Sequence, residues 1–145
     1  MISTPTEAFE VLASLPGCDR LSLDEVESWE RANDINAGRT FRQLLTTVGC
    51  DASWLFPNGF SRLADLPALR QDANEILSDS GSDLRLGATD VVLDFFGGEG
   101  FSYFRCIEDD PEVFKFFEWE PKPSPAGVRL GLYVVQALNT YLQRA

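Results

Sequence analysis

The chain has no histidine. That removes the usual general base near neutral pH, every Ser-His or Cys-His nucleophile pair, and the commonest metal ligand. Positive charge is also scarce. Twelve Lys and Arg face 23 Asp and Glu, for a formal net charge of -11. A field of that sign repels phosphate backbones and argues against nucleic-acid binding. No apolar run approaches the roughly 20 residues of a membrane-spanning helix. The N-terminus, MISTPTEAFEVL, lacks the basic stretch and apolar core of a secretory signal, so the expected compartment is the cytoplasm. Cys18, Cys50 and Cys106 are odd in number and widely spaced, which excludes a disulfide framework and a zinc site built from close pairs. They are expected to be small buried thiols.

What is present suits one domain over residues 1–145. The chain is 145 residues long, 44% hydrophobic and 12% aromatic, enough to fill a core. The stretch from Asp90 to Trp119 contains three short aromatic-rich runs, at 90–96, 101–107 and 113–119. Gly97-Gly98-Glu99-Gly100 separates the first two and has a normal hairpin-loop length. Glu108-Asp109-Asp110-Pro111-Glu112 separates the second pair, and Asp110-Pro111 suits the first positions of a type I turn. The pattern predicts an antiparallel β-meander.

The rest reads as helices at 5–15, 23–33, 39–48, 66–78 and 131–144. Thr4-Pro5-Thr6-Glu7 and Ser22-Leu23-Asp24-Glu25 carry capping signals. Apolar stripes follow at helical spacing: Leu23, Val26 and Trp29; Phe41, Leu44, Leu45 and Val48; Leu66, Leu69, Ala73 and Ile76; Leu132, Val135, Leu138 and Leu142. Pro16-Gly17 and Gly49 stop the first and third. Residues 51–61 form a loop whose Trp54, Leu55 and Phe56 fold back on the core. Residues 121–127 read as a rigid proline-rich connection. The expected fold class is α+β: an antiparallel meander packed with N-terminal helices and a C-terminal helix.

Alternation places Val91, Leu93 and Phe95 on one face of the first strand, and Val92, Asp94 and Phe96 on the other. In the third strand Val113, Lys115, Phe117 and Trp119 oppose Phe114, Phe116 and Glu118. Both faces carry aromatics, so helices cover one and the other is partly covered by the last helix, a loop or a partner. Trp29, Phe41, Phe95, Tyr103 and Phe117 are expected packing residues.

The glycine turn, the Asp-Asp-Pro turn and the closing helix, in that order, resemble the SUKH superfamily, named in part for a fungal cell-wall-assembly regulator. Val91-Val92-Leu93 stands for that family's first strand. Gly98-Glu99-Gly100-Phe101 stands where the family often has His-Gln-Gly-Tyr, so the chain departs from the pattern in lacking the histidine. Asp109-Asp110-Pro111-Glu112-Val113 matches its Asp-Asp-Pro turn. Residues 69–78 and 23–45 are similar to its helices. The resemblance implies a non-catalytic binding protein: a bacterial immunity protein that neutralises a cognate toxin, or a regulatory or scaffold module with a cellular protein partner.

The charge of the residues fits a binding role, and it equally fits a solvated acidic surface that serves solubility. From Asp90 to Glu120, nine acidic residues face Arg105 and Lys115. A basic protein, such as a toxin domain with a basic cleft, would be attracted. The glycine turn lacks the lysine and helix of a phosphate loop. Paired carboxylates could act as acid and base, but these sit at turns, where acidic residues serve solubility. No cofactor, metal or catalytic residue is expected. The candidate partner-binding residues are Glu99, Glu108, Asp109, Asp110, Glu112, Glu118, Trp119 and Glu120. Turns alternate between sheet ends, so Glu99, Glu118 and Glu120 should lie at one end and the Asp-Asp-Pro group at the other, as alternative or joint contact zones. Trp119 is either a core side chain or an aromatic anchor beside Glu99.

Overall fold

The computed structural model describes residues 1–15, 20–48 and 51–144. Its elements run α1 (Pro5–Ser14), α2 (Leu23–Asn33), α3 (Gly38–Val48), a 3-10 turn (Leu63–Asp65), α4 (Leu66–Asp79), β1 (Asp90–Phe95), β2 (Gly100–Arg105), β3 (Glu112–Phe117), β4 (Ser124–Arg129) and α5 (Leu130–Arg144). The four strands form one antiparallel sheet in sequence order, and the class is α+β as expected. The helix stops read at Pro16-Gly17 and Gly49, and the thiols of Cys18 and Cys50, lie outside the described residues.

Local chemistry accounts for the helix starts. The Thr4 hydroxyl accepts the Glu7 N–H at 3.2 Å, ahead of Pro5. Ser22 and Glu25 form a reciprocal capping box, with bonds of 3.1 and 3.2 Å. The α3 stripe is buried in full, and Leu55 and Phe56 do fold back into the core. Trp29, Leu69 and Ile76 are only half-buried, and three stripe residues lie at the surface. Leu23, Leu132 and Leu142 are exposed, because α2 touches the core through Val26 and Glu30, and α5 through Leu130, Val134 and Leu138. Leu77 rather than Ile76 is fully buried on α4.

The proline-rich connection is a strand in its second half. Ser124 pairs with Lys115, and Arg129 with Glu112. Pro125 is tolerated because β4 lies at the edge of the sheet, where a missing N–H leaves no ladder bond unmade.

The second correction is a β-bulge. Val92 opposes Tyr103, but Asp94 opposes Ser102, so Leu93 is the extra residue. One inserted residue inverts the alternation beyond it. Phe95 therefore joins Val92, Phe101, Tyr103 and Phe116 on one face, and Asp94 moves to the face of Leu93. Both assignments are the reverse of strict alternation.

The two faces have separate cores. Val91, Leu93, Phe104 and Val113 pack with α1, α3 and α5. Val92, Phe101, Tyr103 and Phe116 pack under Ala73 and Leu77 of α4 and Leu86. The last helix thus shares a face with the N-terminal helices, and α4 covers the other. Phe41 sits at the centre of the larger core, edge-on to Phe104 at 5.1 Å and to Phe60 at 5.9 Å. Trp29 stands against it, half-buried. Cys106 is a buried free thiol; burial, with the nearby Asp90 and Glu30 charges, pushes it up to about 12.

One buried carboxylate ties α2 to α3. Glu30, 7% exposed, takes two hydrogen bonds from the Arg42 guanidinium, at 3.1 and 2.9 Å, and one from the Ala37 N–H at 2.8 Å. Burial pushes this carboxyl up, but the three hydrogen bonds and the Arg42 charge outweigh burial and hold it below its ordinary value.

Two outcomes are expected. Phe41→Ala should cost about 3–5 kcal/mol in urea denaturation, and Phe117→Ala, half-buried, clearly less. Unfolded Glu30 binds its proton more tightly than folded Glu30, so its contribution is full above the ordinary glutamate range and is lost as pH falls through the folded value. Glu30→Gln should destabilise at neutral pH, and its gap to wild type should narrow in acid.

Candidate functional site

The sheet has two ends, and the predicted carboxylates divide between them as the turn geometry requires. At one end the Phe96–Glu99 turn meets the end of β3: Gly100 pairs with Phe117, and the Glu118 N–H donates to the Glu99 carbonyl at 2.8 Å. At the other end lie Glu108, Asp109, Asp110 and Glu112, the last opposite Arg129.

The Asp-Asp-Pro end is committed to folding. The Asp109 carboxylate accepts the Arg39 N–H at 3.1 Å, and the Asp109 carbonyl accepts the Thr40 N–H at 2.9 Å. Asn36 takes the remaining first-turn donor of α3, Gly38 N–H, at 3.0 Å. The Asp110 carboxylate accepts the Gly131 N–H at 2.9 Å, and the Pro111 carbonyl accepts the Leu130 N–H at 2.8 Å. The turn therefore caps α3 and α5 together, with negative charge at the positive end of each helix dipole. Gly38 permits the approach: a Cβ there, at φ +78°, would lie 2.5 Å from the Glu108 carbonyl oxygen. Arg129 bonds both the Glu108 carboxylate and the Asp110 carbonyl, each at 2.8 Å. One signal in the sequence bears on this. Arg129-Leu130-Gly131 carries no local capping side chain, and Asn36 serves only the Gly38 N–H of α3, so the remaining first-turn donors need acceptors from elsewhere.

The glycine-turn end is arranged otherwise. Phe96, Phe117 and Trp119 form a continuous stack. Ring centroids are 5.5 Å apart at 22° for the first pair and 4.8 Å apart at 18° for the second. Gly100 makes it possible. It lies between Phe96 and Phe117 in the sheet, and a Cβ there would stand 2.9 Å from the Phe117 ring and 2.3 Å from the Phe116 carbonyl oxygen. Trp119 ends the stack and is 63% exposed, so it is a surface ring and not core. Glu99 and Glu118 are exposed and Glu120 is half-exposed. Among the described residues none of the three forms an ion pair; Glu120 has only a 3.5 Å contact from the Ser124 hydroxyl. The Lys115 ammonium lies 5.6 Å from the Phe96 centroid.

Sequence reasoning missed a polar cluster beside this stack. The bulge turns Asp94 toward α5, where the Tyr133 hydroxyl donates to its carboxylate at 2.5 Å. Tyr133 also shares a 2.8 Å hydrogen bond with the fully buried Ser102 hydroxyl, which accepts the Asp94 N–H at 3.2 Å. Asp94 and Tyr133 line a cleft of about 450 Å³ together with Asn58, Lys115, Gln136, Thr140 and Arg144. Burial pushes the Asp94 carboxyl up against the opposing pull of the Tyr133 hydrogen bond and the Lys115 charge. Burial and the adjacent Asp94 push the Tyr133 phenol far up as well. A phenol held that firmly protonated is no base at neutral pH; it is a hydrogen-bond donor that ties α5 to the bulge. Among the described residues, no three Cys, Asp or Glu side chains converge on a possible metal position, and no helix is long and apolar enough to cross a membrane.

Compared with known proteins, the chain matches no family model, no curated protein and no solved structure.

Two results should follow from this geometry. Asp109→Ala and Asp110→Ala should each cost about 1–2 kcal/mol in urea denaturation, because each strips a helix start of its cap. Asp94 binds its proton more tightly folded than unfolded, so its charge opposes folding above the ordinary aspartate range. Asp94→Asn keeps an acceptor for Tyr133. Relative to wild type it should gain stability as pH rises through the folded Asp94 value, and the gain should vanish below the unfolded one.

Proposed function

We propose that this chain is a non-catalytic binding protein of the SUKH type, an immunity protein that binds a basic toxin domain in the cytoplasm and blocks it. The observation that carries this reading is the pairing of strong negative charge with an exposed three-ring aromatic stack. Charge of one sign steers an oppositely charged partner, and surface tryptophan is favoured as an anchor at interfaces. Two further observations support it. Each motif behind the family resemblance has a task in the fold: the glycine turn admits the stack, the Asp-Asp-Pro turn caps two helices, and the closing helix receives one of those caps. In the polar cleft the Tyr133 hydroxyl donates to the Asp94 carboxylate and shares a hydrogen bond with Ser102, a contact that ties α5 to the bulge. Toxins that act on nucleic acids carry basic clefts, which a body of charge -11 could plug.

Co-expression with the product of the adjacent gene tests the reading. That product should arrest growth alone and lose its effect beside this chain. The purified pair should form a stable complex whose association slows by about an order of magnitude from low to moderate salt. Continued growth arrest, with no complex at low salt, would overturn it. A constitutive complex with a housekeeping protein would replace it with the regulatory or scaffold role.

A further inference from the structure

We infer that the contact zone is the glycine-turn end of the sheet alone, and that its occupant is an arginine-bearing basic segment of the partner. The inference rests on the binding-protein reading above and decides between the two acidic zones.

Three of the four carboxylates at the Asp-Asp-Pro end are already engaged, and Glu112 is half-buried in β3. Asp109 and Asp110 each hold a helix start, and Glu108 is paired with Arg129 at 2.8 Å. A partner that took these carboxylates would compete with helix caps and with an existing cation. At the opposite end Glu99, Glu118 and Glu120 hold no cation among the described residues. Glu118 and Glu120 flank Trp119 in the chain, the Glu99 carbonyl accepts the Glu118 N–H, and the Trp119 ring is 63% exposed. The nearby lysines do not neutralise them. Lys115 is turned to Phe96, and Lys122 is exposed in the β3–β4 turn without an ion pair.

The chemistry of the occupant follows from the geometry of the stack. Its inner ring, Phe96, already receives a cation from Lys115 at 5.6 Å. Its outer ring is tryptophan, the side chain with the strongest cation–π attraction. Phe117 fixes the tilt of that ring at 4.8 Å, so the surface is formed before any partner arrives and little side-chain entropy remains to be lost. A planar cation can lie flat on the indole while its edge N–H groups reach neighbouring carboxylates. Guanidinium meets both requirements, whereas ammonium is a compact, strongly hydrated point charge that cannot stack.

The test is an NMR titration of isotope-labelled protein with a hexa-arginine peptide and, separately, with hexalysine, at moderate salt. The expected result is that the largest shifts fall on the Trp119 indole N–H and on the amides of residues 97–100 and 117–120. Hexa-arginine should bind several-fold more tightly than hexalysine, and Trp119→Ala should abolish that preference. The substitution is at an exposed ring, so the variant keeps its fold, and an unchanged spectrum elsewhere verifies this. Shifts centred on residues 108–112, no binding of hexa-arginine, or an undiminished arginine preference in Trp119→Ala would each overturn the inference. Such a failure leaves the immunity reading standing if the toxin pair still forms, whereas a toxin pair that never forms overturns the reading whatever the peptide does.

Discussion

The Asp109-Asp110-Pro111 turn is the contact on which the arrangement of layers depends. It joins β2 to β3, and two carboxylates and two carbonyls of that one segment close the first turns of α3 and α5. Buried or half-buried helix starts leave N–H groups without partners unless something outside the helix supplies acceptors. Here one hairpin supplies both helices, so their positions over the sheet are set together. Gly38 and Arg129 complete the joint, the first by giving the Glu108 carbonyl room and the second by holding the turn from the β4 side.

A second local event shapes the opposite half of the same face. The extra residue at Leu93 turns Asp94 inward, and the Asp94, Tyr133 and Ser102 hydrogen bonds then hold α5 to β1 and β2. The loop at Asn58 to Phe60 bonds along the outer side of β1 and shields part of that edge. The other edge, β4, is interrupted by Pro125, which cannot donate to an added strand. Both edges thus have features that discourage sheet extension.

The two sheet ends differ in how their carboxylates are used. At one end they accept from backbone donors and arginines and contribute to stability. At the other they face water around a rigid aromatic stack and contribute to the long-range field. Net charge alone does not separate these cases, because an aspartate that caps a helix and a glutamate in a turn count equally toward it.

By itself the sequence determined the α+β class, the order of the first three strands through its two turn signals, five helix positions, and the placement of the two acidic groups at opposite sheet ends. These follow from short-range rules of periodicity, capping and turn chemistry, which operate within a few residues. Tertiary structure decided the rest. Pro125 and Gly127 hid β4, because an edge position removes the penalty that makes proline a strand breaker. The bulge at Leu93 reversed the faces of Asp94 and Phe95, and nothing in residues 90–96 marks it; it is fixed by pairing with β2, where two residues face Ser102. Whether Glu99 or Asp109 is free for a partner was equally illegible. It depends on helix starts that are distant in the chain, with Arg39 70 residues from Asp109, and come into contact only on folding.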